Sequence, residues 1–141
     1  MNDTIVARPT GHLTAILETA HALEAKLEST LDEAGLSGAK YSVLSELVRA
    51  GEALPLSELA ARLSCVRSNM TQLVDRLEAD GLVRRVACPT DRRSVKAEIT
   101  EEGQKRQVDG AQRVERLERE LAALVSDVDG AALQRMLMAL R

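Results

Sequence analysis

The sequence predicts a mainly α-helical chain interrupted by a single small β-hairpin. Three observations lead there. Apolar residues recur at three- and four-residue steps along most of the 141 residues, the spacing of one face of a helix. Only residues 82–99 switch to alternation, around Pro89-Thr90-Asp91-Arg92-Arg93, which is the period of strands on either side of a turn. Aromatic side chains are nearly absent, with one Tyr and no Trp or Phe. Leu, Ala and Val must therefore fill the core, and they favour helices. A chain of this length is expected to form one domain without needing disulfides or metal.

Residues 1–10 are polar and irregular, ending in Arg8-Pro9-Thr10, and read as a loose arm. Leu13, Ile16, Leu17, Ala20, Leu23, Leu27 and Leu31 then define a long amphipathic helix, ended by Gly35. Ser37 caps a second helix carrying Tyr41, Leu44, Leu47 and Val48, which stops at Gly51. Pro55 opens a third, with Leu56, Leu59, Ala60 and Leu63 on one face. Ser64-Cys65-Val66 is long enough only for a turn. The fourth helix runs from about Arg67 to Ala79, burying Met70, Leu73, Val74 and Leu77, and Gly81 follows its end. In the hairpin's second half Val95, Ala97 and Ile99 point one way and Ser94, Lys96 and Glu98 the other. Thr100 caps a fifth helix with Val108, Ala111, Val114, Leu117, Leu121, Leu124 and Val125. Asp127 and Asp129 punctuate, and a last helix aligns Leu133, Met136, Leu137 and Leu140. The long end helices carry apolar stripes that a small central lobe cannot cover, so they are expected to form an oligomer interface.

Several function classes are excluded. No apolar run approaches the roughly 18 residues of a membrane span and no signal-peptide pattern opens the chain, so a soluble cytoplasmic protein with no membrane partner is expected. Cys65 and Cys88 stand without a CxxC or a nearby His, which suggests neither a zinc site nor a disulfide framework. Paired carboxylates, Ser/His or Cys/His constellations and phosphate-binding Gly-rich loops are missing. The chain does not read as an enzyme, and no cofactor is expected.

The charge balance at first argues against nucleic acid, with 19 Lys/Arg against 22 Asp/Glu. Its distribution argues for it. From Arg62 to Lys96 there are eight basic and four acidic residues, while the rest of the chain carries eleven against eighteen. A basic patch on an acidic body presents a positive local field to phosphates. Within it, the outer face of the fourth helix offers Arg67, Ser68, Asn69, Thr71, Gln72, Asp75 and Arg76. Short polar side chains with Arg, Gln and Asn are the types that reach base edges and phosphates in a major groove. Two helices meeting at a tight break, followed by a basic β-ribbon, form an arrangement for reading duplex DNA.

These stretches resemble the MarR family of bacterial winged helix-turn-helix regulators along nearly the whole chain. The resemblance rests on LSELAARL (56–63), on MTQLVDRLEADGLVRR (70–85), and on DRRSVKAEIT followed by Glu101-Glu102-Gly103. It implies one MarR-type domain over residues 1–141. About 37–100 would form the winged helix-turn-helix lobe that binds DNA, and about 11–35 and 101–141 the dimerisation helices. It further implies a homodimer with each fourth helix in a major groove of a pseudo-palindromic operator. The wing arginine, here Arg93, would reach the adjacent minor groove while Asp91 holds the turn. Arg92 would take a phosphate contact or exchange roles with Arg93.

The chain departs from the family pattern at two places. Ser64 stands where the family usually has Gly, and Val66 where it has a small hydroxyl that caps the recognition helix. A missing cap costs the helix start on the order of 1 kcal/mol, and Ser64 or Ser68 is expected to compensate. Many relatives bind phenolic or aromatic acids between the dimerisation helices and the DNA lobe. The residues here that offer a comparable effector pocket are His21, Tyr41 and Arg49. Some relatives sense oxidants, which makes Cys65 and Cys88 candidate redox residues. Cys65 is expected near a helix N-terminus and Arg67, where its thiolate would be favoured. The competing function is a winged-helix protein–protein adaptor without DNA binding.

Overall fold

The computed structural model describes residues 11–140, so the stretch read as an N-terminal arm lies outside the described residues. Six helices and three strands follow in order: α1 (His12–Asp32), α2 (Gly38–Ala50), β1 (Leu54–Pro55), α3 (Leu56–Arg62), α4 (Arg67–Ala79), β2 (Val83–Cys88), β3 (Asp91–Ile99), α5 (Glu101–Val125) and α6 (Gly130–Ala139). The result is a mainly helical, winged helix-turn-helix architecture.

The caps explain most boundaries. Ser37 accepts a hydrogen bond from the Lys40 N–H at 3.2 Å, and Gly51 closes α2 in the left-handed region at φ 68°. Asp129 accepts from the Ala132 N–H and so starts α6. At α5 the Thr100 hydroxyl does two jobs. It accepts from the Gly103 N–H at 3.0 Å and donates to the Gly81 carbonyl at 2.7 Å, tying the end of α4 to the start of α5. Gly103 is required by close approach: a Cβ there would lie 2.0 Å from the Leu82 carbonyl oxygen and 2.8 Å from the Ile99 side chain.

The three strands form an antiparallel sheet in the order β1-β3-β2. β1 was not legible as a strand. Leu54 and Pro55 pair with Ala97 and Lys96, but two residues are too short to show an alternation, and Pro55 serves at once as the residue before α3. The hairpin turn is also tighter than the sequence suggests. Cys88 pairs with Asp91 across Pro89-Thr90, with a bulge between Ala87 and Cys88, so Asp91, Arg92 and Arg93 belong to β3.

Every fully or nearly buried apolar side chain among the described residues falls between Leu31 and Ala97. Leu31, Leu44, Leu47, Leu59, Met70, Val74, Leu77 and Leu82 form its centre, contributed by α1 to α4 and the start of the sheet. The end helices contrast with this. α1 buries only Leu31, α5 buries only Gly103 and Gly110, and α6 buries nothing. Leu13, Leu17, Leu124, Leu133, Leu137 and Leu140 are exposed. No described helix is long and apolar enough to cross a membrane.

Candidate nucleic-acid interface

The turn that delivers the recognition helix can be built bond by bond. α1, α3 and α4 all end in the same way, with one residue in the left-handed region and two backbone hydrogen bonds returning to the last turn. After α4, Gly81 donates to Glu78 O and Leu82 to Leu77 O; after α3, Ser64 donates to Ala61 O and Cys65 to Ala60 O. In α1 and α4 the left-handed residue is a glycine, Gly35 or Gly81. After α3 it is Ser64 at φ 50°, the one non-glycine residue with positive φ among those described. The chain thus keeps the turn geometry and carries a Cβ where left-handed backbone disfavours one.

Val66 occupies the N-cap of α4 in extended conformation and supplies no side-chain bond. The expected compensation by Ser64 or Ser68 is absent: no side chain caps this helix. The first N–H groups of α4 are therefore left as donors for an anion, at the positive end of the helix dipole.

Along α4 the apolar face is sealed, with Met70, Val74 and Leu77 fully buried, while Arg67, Ser68, Asn69, Thr71, Gln72, Asp75 and Arg76 are all exposed. Arg67 and Thr71 share a recess of about 170 Å³ with Leu56, Ser57, Arg93, Ser94 and Val95, so the structure brings the wing arginine to the flank of the recognition helix. On the other flank Asn69, Gln72 and Arg76 border a groove with Ala39, Cys65 and Leu73. At the wing, Asp91 accepts the backbone N–H of Arg93 at 2.9 Å, an Asx-type closure of the turn. The side chains of Arg92 and Arg93 stay exposed.

Pairing separates the arginines into two classes. Arg62 is held by Glu58 at 2.6 Å and by the buried Glu46 at 3.6 Å. The Glu58 hydrogen bond, ahead of Glu46, keeps its guanidinium above the ordinary arginine value. Arg84 pairs with Glu98, and Arg85 with both Asp75 and Glu78. Asp75, first, and then Glu78 hold Arg85 above the ordinary value as well. By contrast Arg67, Arg76, Arg92 and Arg93 make no ion pair among the described residues. Arg62, Arg84 and Arg85, counted in the basic patch from sequence, are thus neutralised locally. Within the lobe the unpaired arginines sit on α4 and at the wing tip; outside it, Arg116 on α5 is also exposed and in no ion pair among the described residues.

The remaining sequence candidates lie on α1, on α2, in the α3–α4 turn and on β2. His21 is exposed on α1, Tyr41 packs against Gly110 and the core, and Arg49 is exposed and paired with Glu46 at 2.8 Å. None of the three lines the largest recess, about 440 Å³, which lies between Leu47, Val48, Glu52, Ala53, Glu98, Ile99, Gln104, Gln107 and Val108. Cys65 is half-buried beside α4, its Sγ 3.5 Å from the Val66 carbonyl oxygen. Cys88 lies at the wing with Sγ 3.3 Å from the Thr90 hydroxyl. Hydrogen bonding by the Thr90 hydroxyl, then by the Thr90 backbone, pulls its thiol below the ordinary value.

A family model described as MarR family matches residues 34–94, the span from the end of α1 to the wing tip. The transcriptional repressor CouR bound to a 23-mer DNA duplex superposes with a TM-score of 0.81 at 27% identity, over 92% of each chain. Over residues 34–94 the chain is similar to the MarR family. A second MarR-like structure, CouR from Rhodococcus jostii RHA1 bound to p-coumaroyl-CoA, matches at 26% identity and TM-score 0.73 over 90% of this chain and 87% of that one. The HTH-type transcriptional regulator MhqR of Bacillus subtilis (strain 168) is 38% identical over 69 residues, 49% of this chain and 47% of MhqR. The match thus spans about half the length of that relative.

Proposed function

We propose that the protein is a homodimeric, sequence-specific double-stranded DNA-binding transcriptional regulator, acting as a cytoplasmic repressor that a small molecule or an oxidant releases. The observation that carries this reading is the placement of unpaired arginines. Arg67 and Arg76 on α4 and Arg92 and Arg93 on β3 are exposed without carboxylate partners among the described residues, whereas the neighbouring Arg62, Arg84 and Arg85 are paired. An arginine left free at the surface has its full charge available to phosphate or a base edge. Arg67, Ser68, Asn69, Thr71, Gln72 and Arg76 would enter the major groove, with Arg93 in the narrow minor groove beside it, where negative potential is enhanced. The exposed apolar faces of α1, α5 and α6 support the dimer, in which one MarR-type domain per protomer presents its α4 to successive major-groove turns.

For release, two features support different signals. The largest recess has an apolar floor with Gln104 and Gln107 amides, bears Glu52 and Glu98, and has no cationic side chain in its lining. That lining suits a neutral or cationic amphiphile better than an aromatic acid, which would lack a positive partner. Cys88, with its lowered thiol, supports oxidation at the wing.

Selection on random duplexes tests all of this together. Enrichment of a pseudo-palindrome with half-sites about 10 bp apart is expected. Repeating it with peroxide, on wild type and on Cys88→Ser, and with charged and uncharged aromatics separates the signals. No enrichment under any condition would sink the DNA-binding reading and leave the adaptor.

A further inference from the structure

Arg85 sits at the base of the wing, and among the described residues it makes the one ion-paired link between the wing strands and the recognition helix. Its guanidinium reaches Asp75 with Nη2 and Glu78 Oε2 with Nη1 at 2.7 Å, and its own backbone N–H donates to Glu78 Oε1 at 3.1 Å. Asp75 and Glu78 are three residues apart on α4, hence on one face, and Arg85 is paired in the sheet with Ala97. Three bonds therefore fix one point of β2 against two successive turns of α4. The Arg85 side chain is 28% exposed while Asp75 and Glu78 are 55% and 41% exposed, so it is the number of bonds converging on one residue that fixes the point.

We infer that the Asp75–Arg85–Glu78 clamp is a positioning device, which sets the angle between wing and recognition helix. This rests on the DNA-binding reading above. Three residues, Val86 to Cys88, separate Arg85 from the turn, a lever of about 10 Å at roughly 3.3 Å per residue. A tilt of about 20°, the size of one inter-strand twist step, moves the tip by roughly 3 Å. That is half of the minor groove's width of about 6 Å, enough to take Arg93 out of register. The second consequence concerns sequence. A free carboxylate on the groove-facing side of α4 would accept from cytosine N4. Asp75 has Oδ1 committed to Arg85 instead, which turns its carboxylate toward the wing.

The test is a double-mutant cycle in DNA affinity, measured on a duplex selected by wild type, with Arg85→Met, Arg93→Ala and the two combined. If Arg85 acts by placing Arg93, Arg85→Met weakens binding by about tenfold in the wild-type background and by less than about twofold once Arg93 is already alanine. Equal fold-losses in both backgrounds overturn the clamp as a positioning device. Hydroxyl-radical footprints should show minor-groove protection lost in Arg85→Met while protection of guanine N7 from dimethyl sulfate persists; loss of both together overturns it as well. Asp75→Asn, which keeps the helix and removes one arm, covers the case in which Arg85→Met does not fold. That variant should weaken binding without altering the selected bases, and a changed base preference would show Asp75 to be a reader. A wild type that selects no duplex overturns the DNA-binding reading and the clamp with it, whereas a binding wild type with additive variants overturns the clamp alone.

Discussion

The lobe from Leu31 to Ala97 and the helices around it are written in the same alphabet of Leu, Ala, Val and Met, yet they reach opposite states. In the lobe the apolar side chains meet one another: Leu44, Leu59, Val74 and Leu77 are fully buried. On α1, α5 and α6 the same residue types face outward, up to Leu140 at 83% exposed. Helical periodicity is equally regular in both regions, so amphipathicity alone does not say where a face will find its cover. The lobe is self-sufficient because four helices and a sheet surround one centre. The end helices are too long for it, and their stripes extend past anything this chain can place against them.

The joint between the two regions is the most sensitive point. Gly103→Ala places a methyl 2.0 Å from the Leu82 carbonyl oxygen, a backbone atom that cannot step aside. We expect a loss of about 3 kcal/mol in denaturant unfolding. Only a small change would mean that α5 is not seated on the lobe as described. Next in size is Leu137→Asp on α6, at a position 46% exposed in the single chain. It should leave the lobe folded but abolish the rise of melting temperature with protein concentration. That contribution is about 2.7 kcal/mol for a partner near a hundred times its Kd. A variant that still sediments as a dimer would remove α6 from the interface. The smallest effect lies inside the lobe. Ser64→Gly relieves a Cβ at φ 50° and should stabilise by about 1 kcal/mol in a thermal melt; destabilisation would show that the Ser64 side chain makes a contact of its own.

Much of this was legible in the residues. The caps at Ser37, Thr100 and Asp129 and the left-handed Gly51 and Gly81 are local chemistry, and the elements begin and end where those residues direct. α4 spans Arg67–Ala79 as its periodicity predicts. What was hidden is non-local. β1 is two residues long and recognisable only through its partners on β3. Arg85 finds Asp75 and Glu78 ten and seven residues back, separations with no periodic signature across a turn. Counting charge therefore placed Arg62, Arg84 and Arg85 with the free arginines. The motif Ile99-Thr100-Glu101-Glu102-Gly103 was visible, but its cause, the carbonyl of Leu82 pressed against Gly103, was not. His21, Tyr41 and Arg49 were grouped by the resemblance, and none of them lines the recess of about 440 Å³.

The most direct measurement compares wild type and Arg93→Ala on a selected duplex, with thermal stability recorded on the same preparations. Arg93 makes no ion pair among the described residues, and Asp91 accepts its backbone N–H while its side chain stays exposed. Its removal should therefore cost about 1–3 kcal/mol of DNA affinity with an unchanged melting temperature and oligomeric state. Full affinity in the alanine variant would contradict the assignment of the unpaired arginines to DNA, and so would a loss of affinity that merely tracks a loss of stability.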